Sequence, residues 1–216
     1  MTEPKPSGKR VATRARPNRN EEGRQEILVA ATDAFMRLGY ARASIDEIAD
    51  QMGATKGRVY HYYRSKADIL MDIHRHVLEM MFDAVQAERD AAGNPVEALR
   101  AMARRHALIV MENLAFTRVT LLSTTDLFVN EKQQDFVSDI AKIRRNYEML
   151  FVATLERGME TGVFRQTDAK LLAKPLLGSL NWTTMWYIDR EQTTDEGRAK
   201  IADIIVDYIL EGVTAR

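Results

Sequence analysis

With 216 residues, 45% of them hydrophobic and 29% charged, the chain is long enough for one large core or two small ones and has a globular composition. It has no cysteine, which excludes structural disulfides and thiolate chemistry. With no signal-like start and no run near the ~18 apolar residues of a membrane span, it fits a reducing cytoplasm. The 31 basic and 31 acidic residues balance overall but not locally. Residues 1–70 carry 13 against 9, a net +4, and the remainder 18 against 22, a net −4, so the front half is the part suited to a polyanion.

The first twenty residues hold Lys5, Lys9, Arg10, Arg14, Arg16 and Arg19 against Glu3 alone, with three prolines, and read as a disordered basic arm. Such an arm either adds phosphate and minor-groove contacts or is a solvated tail. From Glu21 onward the apolar period is helical and no alternating strand is visible. Ile27, Leu28, Ala31, Phe35 and Leu38 mark a first helix ending at Gly39. Ser44 and Glu47 have capping-box spacing, Ile45, Ile48 and Met52 form one face, and Gly53 stops the second helix. A third opens at Thr55, where the helical angle sends Val59 and Tyr63 inward and Gly57, Arg58, Tyr60 and His61 outward. Two short helices joined by a Gly-containing turn are the layout of a DNA-reading module. Arg, Tyr and His donors beside a glycine suit a groove edge, although His61 also reads as an inert surface residue.

A longer helix runs from Ser65 to about Arg89, and the boundary between a small and a larger domain falls inside it, near Leu70 to Ala84. Pro95 opens the next helix, with Leu99, Met102, His106 and Val110 on its apolar face. An apolar segment over 116–128 follows, then a long helix carrying Phe136, Ile140, Ile143, Tyr147, Phe151 and Leu155, closed near Gly158 or Gly162. In residues 171–188, Pro175 either starts the helix or bends it. A final helix shows Ile201, Ile204, Ile205 and Tyr208 on one side. The expectation is an all-α protein of about nine helices. A basic arm (1–20) leads into a helix-turn-helix domain (21–82) and a larger helical domain for ligand binding and dimerisation (83–216).

Residues 23–82 resemble the TetR family of bacterial regulators. The match runs through Ile27-x-x-Ala30-Ala31, Phe35, Gly39-Tyr40, Ser44-Ile45-x-x-Ile48-Ala49 and Gly57-x-Val59-Tyr60-x-Tyr62-Tyr63-x-x-Lys66-x-x-Ile69-Leu70. The resemblance implies that Thr55, Lys56, Gly57 and Arg58 approach bases, while Ser44, Tyr60, His61, Tyr62 and Lys66 hold phosphates. The family often has Phe where Tyr63 stands; an inward Tyr63 packs in the core and its hydroxyl needs a partner. Members pair their last two long helices into a four-helix bundle, which implies a homodimer on a near-palindromic operator. The alternative is that residues 171–188 and 198–211 complete a monomer core. Gly178-x-x-Asn181-Trp182-x-x-x-Trp186-Tyr187 resembles a branch whose members sense CoA thioesters, so an amphipathic effector, an acyl-CoA among the candidates, is expected.

A ligand that shifts DNA affinity must bind one conformation better than the other. Its pocket is expected among the fifth to eighth helices. Met102, His106, Met111, Phe116, Leu121, Leu122, Tyr147, Phe151, Trp182 and Trp186 are candidate lining residues, each also readable as ordinary core. Arg118, Arg144 and Arg145 are candidate phosphate partners. No catalytic, metal or cofactor motif stands out, and His74 and His76 point different ways on their helix. A small helical enzyme and a non-DNA interaction protein remain the competing classes. The reading favoured is a ligand-responsive DNA-binding regulator, most simply a repressor released by its effector.

Overall fold

The computed structural model describes residues 19–123, 134–190 and 194–215, and those residues form nine α-helices. The arm expected over 1–20 lies outside them apart from Arg19 and Asn20, which form the start of α1. The segment from 124 to 128 and the side chain of Phe136 also lie outside.

Local chemistry sets most helix ends. The first helix, α1 (Arg19–Leu38), stops where Gly39 takes φ 77, and α2 (Ile45–Gln51) stops before Gly53 at φ 59, backbone angles at which a Cβ would clash. The capping box that opens α2 is complete: the Glu47 amide donates to Ser44 Oγ, and the Ser44 amide donates to the Glu47 carboxylate. Thr55 precedes α3 (Lys56–Tyr62), which ends as Tyr63 turns extended. Ser65 caps α4 (Lys66–Ala91), and Asn94 Oδ1 accepts from Val96 and Glu97 at α5 (Pro95–Glu112), with Pro95 in the first turn where no donor is lost. The short α6 (Leu114–Leu122) leads to α7 (Gln134–Glu160). Asp168 caps α8 (Ala169–Trp186) and Thr194 caps α9 (Asp195–Val213). Pro175 therefore sits inside α8, past its first turn. Among the described residues the only β-type pairing is an antiparallel bridge between Phe164 and Thr214, and no helix is long and apolar enough to cross a membrane.

Two apolar cores meet along α4. Ile69, Leu70 and Ile73 join Ile27, Phe35, Ile48 and Val59 in one; Val77, Met81 and Val85, a turn further on, join Leu99, Met102, Phe151 and Leu155 in the other. The first core is not confined to α1–α4, because Val119 of α6 and Ile140 of α7 also pack into it, and Phe116 touches both. Helix α4 is thus a single rigid element shared by both cores, and a displacement at one is felt at the other.

Candidate nucleic-acid interface and inner cavity

Helix α3 is only seven residues long, too short to hold itself, so its pose is set by what it buries. Val59 and Tyr63 are buried as the helical angle requires, and the Tyr63 hydroxyl finds the partner it needs by donating to the Asp72 carboxylate of α4. Arg24 of α1 donates to the same oxygen at 2.6 Å. The carboxylate ties together α1, α4 and the end of α3, and desolvation raises the Tyr63 pKa, so its hydroxyl keeps its proton to donate at neutral pH. Tyr62 lies half-buried along α1 because Gly23 has no side chain there. A Cβ on Gly23 would sit 2.2 Å from the Tyr62 hydroxyl.

With those groups fixed, Thr55, Lys56, Gly57, Arg58, Tyr60 and His61 are all exposed on one side of α3. Arg58 pairs with Glu26 and Lys56 with Asp46, the latter at 2.9 Å. Both pairs are exposed and screened by water, so exchanging a carboxylate for a phosphate or a base edge costs little. The Lys56 ammonium stands 6.0 Å from the Tyr60 ring centroid, and the His61 and Tyr62 rings meet edge-on at 5.0 Å. The result is a compact ridge of donors and flat rings on a helix, an element that a major groove admits.

Two residues expected at phosphates do other work. Lys66 Nζ donates to the carbonyls of Tyr40, Ala41 and Ala43 at 2.6, 3.1 and 2.7 Å, and lies 4.6 Å from the Tyr40 ring centroid. An ammonium has three donors, and all three are spent on the α1–α2 turn. Burial lowers the Lys66 pKa, as expected of an anchor inside the fold. Lys66→Ala should therefore lower the thermal midpoint of unfolding, by leaving three carbonyls short of a donor at about 1–3 kcal/mol in total, while the salt dependence of DNA binding keeps its slope. Calorimetry and salt titration separate this from a phosphate contact, whose loss would flatten the slope by about 1 and spare the midpoint. Ser44 Oγ, likewise, donates to Glu47 Oε2 at 2.9 Å, so the carboxylate of its own helix already occupies the place an anion would take.

The second feature is a cavity of about 270 Å³ lined by α4 to α8 and open at one side. Three of the ten expected lining residues, His106, Leu121 and Tyr147, are on its wall, together with His74, Arg144, Glu148, Lys174 and Asn181. Met102, Met111 and Phe151 are instead fully buried core, and Phe116 is half-buried between the two cores with its ring against His76. Leu122, Trp182 and Trp186 face outward, with 58%, 62% and 47% of their surfaces exposed. Helix α8 is apolar on both sides. Ala173, Leu176, Leu180 and Thr184 turn inward, while Leu171, Pro175, Gly178, Trp182 and Trp186 form the outer stripe, so hydrophobicity alone does not say which side is interior. Arg118 is not available to a ligand phosphate either. It donates to the carbonyls of Thr184 and Tyr187, closing the C-terminus of α8 with a cation.

His74, a turn short of the second core, donates from Nε2 to Ser123 Oγ at 3.1 Å, since that hydroxyl's own hydrogen goes to the Val119 carbonyl. Burial, and secondarily Arg144, lowers its pKa to about 4, so it is neutral. His106 Nδ1 lies 2.6 Å from the Tyr147 hydroxyl, and burial lowers this imidazole to about 4 also, with Asn181 acting weakly the other way.

The family model for bacterial regulatory proteins of the tetR family matches residues 27–73, and that for the tetracyclin repressor-like C-terminal domain matches residues 92–213. The chain is 27% identical over 180 residues to the HTH-type transcriptional repressor KstR2 of Mycolicibacterium smegmatis, covering 79% of this chain and 82% of that one. Its fold is similar to that of the TetR family regulator PfmR from Thermus thermophilus (TM-score 0.76, 29% identity, 86% and 97% of the two chains). It is also similar to AibR, solved with isovaleryl coenzyme A and operator DNA (TM-score 0.71, 24% identity, 86% and 97%).

Proposed function

Because this chain belongs to the tetR family of bacterial regulatory proteins, and so is a DNA-binding transcriptional regulator, we propose that it acts as a homodimeric repressor. Each subunit lays the outer side of α3 in the major groove of a near-palindromic operator, and a small amphipathic effector in the α4–α8 cavity releases it. The observation that carries the reading is the exposed ridge from Thr55 to His61 on a helix pinned from behind by Asp72. Arg58, Lys56 and Thr55 read bases; Tyr60, His61 and Tyr62 hold phosphates. Residues 21–82 form the DNA-binding part and 83–216 the effector and dimerisation part. The naming of KstR2 as a repressor and the AibR complex with a CoA thioester support the finer terms.

The same geometry supplies a route for release. Asp72 grips the end of α3, and His74, two residues along the same helix, lines the cavity. A ligand that displaces His74 shifts α4, and Asp72 carries Tyr63 with it. In a twofold dimer whose half-site centres must lie about 34–36 Å apart, or a multiple of that, such a shift changes the fit. A ligand moves this equilibrium only as far as it prefers the spacing that cannot bind.

Selection from random duplexes tests the proposal. The protein should enrich a two-fold symmetric sequence with steep salt dependence, and Arg58→Ala should cost about 1–3 kcal/mol on that sequence while relaxing one position of each half-site. Equal affinity for selected and random duplexes at physiological salt would sink the repressor reading.

A further inference from the structure

The inner end of the cavity carries a polar atom that the fold leaves unused. His106 is 1% exposed; its Nε2 makes no well-aligned hydrogen bond among the described residues, with Asn181 of the same wall as a polar neighbour of the ring, while Nδ1 is held by Tyr147. The Tyr147 hydroxyl is itself buried and has one hydrogen to give. If Nδ1 carried the ring proton, that hydrogen would have no acceptor at this contact; with Nδ1 as acceptor both groups are satisfied and the ring proton is on Nε2. Tyr147 therefore fixes the tautomer, and Nε2–H stands as a buried donor on a residue of the cavity wall, where leaving it unpaired is costly.

Resting on the effector reading above, we propose that the ligand presents an uncharged carbonyl oxygen to His106 Nε2 and leaves its anionic part at the mouth, beside Arg144 and Lys174. A carboxylate at the inner end is disfavoured, because a neutral imidazole supplies no counter-charge and an ion so buried is costly. The mouth has the opposite character. Arg144 is exposed on its wall, and Lys174 is paired at 2.7 Å with Glu148, leaving one net positive charge. Buried groups line the inner end and exposed cations the mouth, so the acyl end of the ligand goes inside and a large anionic carrier stays beside Arg144 and Lys174. The chemistry is that of a short thioester or keto group carried on a phosphorylated or carboxylated tail. His106 sets specificity, and Tyr147 is a positioning residue.

Calorimetric titration of the full chain with isovaleryl-CoA, its S-isopentyl-CoA thioether, which differs by loss of the carbonyl, and free coenzyme A tests this. The parent should bind the thioester at least tenfold more tightly than the thioether. His106→Leu should bring the two together, His106→Gln, which restores an N–H near Nε2, should recover part of the difference, and Tyr147→Phe, checked for a retained unfolding midpoint, should narrow it. Equal binding of thioester and thioether by the parent overturns the role of His106 while leaving the cavity as the effector site. Binding of none of the three, with operator binding intact, overturns the ligand class. Failure to bind any operator is the separate failure of the repressor reading.

Discussion

Gly178→Trp should leave each protomer folded, turn the protein monomeric and reduce operator affinity by a factor on the order of 10³. A Cβ built on Gly178 meets nothing within 4 Å in its own chain, and a helical Gly is replaced at a gain of up to ~1 kcal/mol in propensity, so the protomer loses nothing. Around that glycine Leu171, Trp182, Met185 and Trp186 are exposed on α8, and Ile204 and Tyr208 are 62% and 71% exposed on α9. That is more contiguous apolar surface than a monomer shows to water without cause, and in the proposed dimer a second copy of the same two helices would cover it in a four-helix arrangement. In the proposed dimer Gly178, open on the outer stripe of α8, allows a close approach of two crossing helices, and an indole there should force them apart. A lone α3 reads one half-site, so separating the subunits removes half the contacts together with the register between them. Sedimentation equilibrium and duplex titration read the two effects independently. A variant that stays dimeric with unaltered operator affinity would place the interface on another face.

The fold is legible where the chain signals locally. Ser44 with Glu47, Asn94 before Pro95, and glycines 39, 53 and 162 fix helix ends through hydrogen bonds and backbone angles that need no knowledge of the rest of the molecule. The face of α3 is legible for the same reason, since a seven-residue helix has one side to bury and Val59 marks it. What the sequence misplaces depends on tertiary context. Lys66 reads identically whether its ammonium meets a phosphate or three carbonyls, and only the approach of the α1–α2 turn decides. Trp182 and Trp186 read as pocket residues because α8 is apolar on both sides, and which side turns inward is chosen by α5 and α7. Nothing in the sequence marks His74 as a cavity residue, because its neighbour in the fold, Ser123, is 49 residues away. His106 reads in sequence equally as a lining or a core residue, and its place on the cavity wall becomes visible only in the fold.

Acidification should destabilise the protein well before its carboxylates protonate, and the two buried histidines account for the effect. His74 is 5% exposed and His106 1%, and both imidazoles are held near pKa 4 against about 6.5 in the unfolded chain. A depressed histidine pKa means that the unfolded state takes up a proton the native state refuses. The contribution of these groups is complete above about pH 6.5 and is lost as pH falls toward 4. Each can remove up to about 1.4 kcal/mol per pH unit and about 3 kcal/mol in all, a large part of the ~5–15 kcal/mol that holds a typical domain. Stability from urea unfolding should therefore fall steeply between about pH 6.5 and 4.5. The double variant His74→Leu/His106→Leu should lose most of that slope, retaining only what Asp and Glu contribute near the acid end. An effector seated on neutral His106 should hold the native state at about pH 5 no more strongly than its affinity at about pH 7 predicts, because a proton on the free imidazole competes with binding. A parent whose stability is flat from about pH 7 to 4.5, or a double variant with the parent's slope, would show that these imidazoles reach water and that the cavity wall is not sealed.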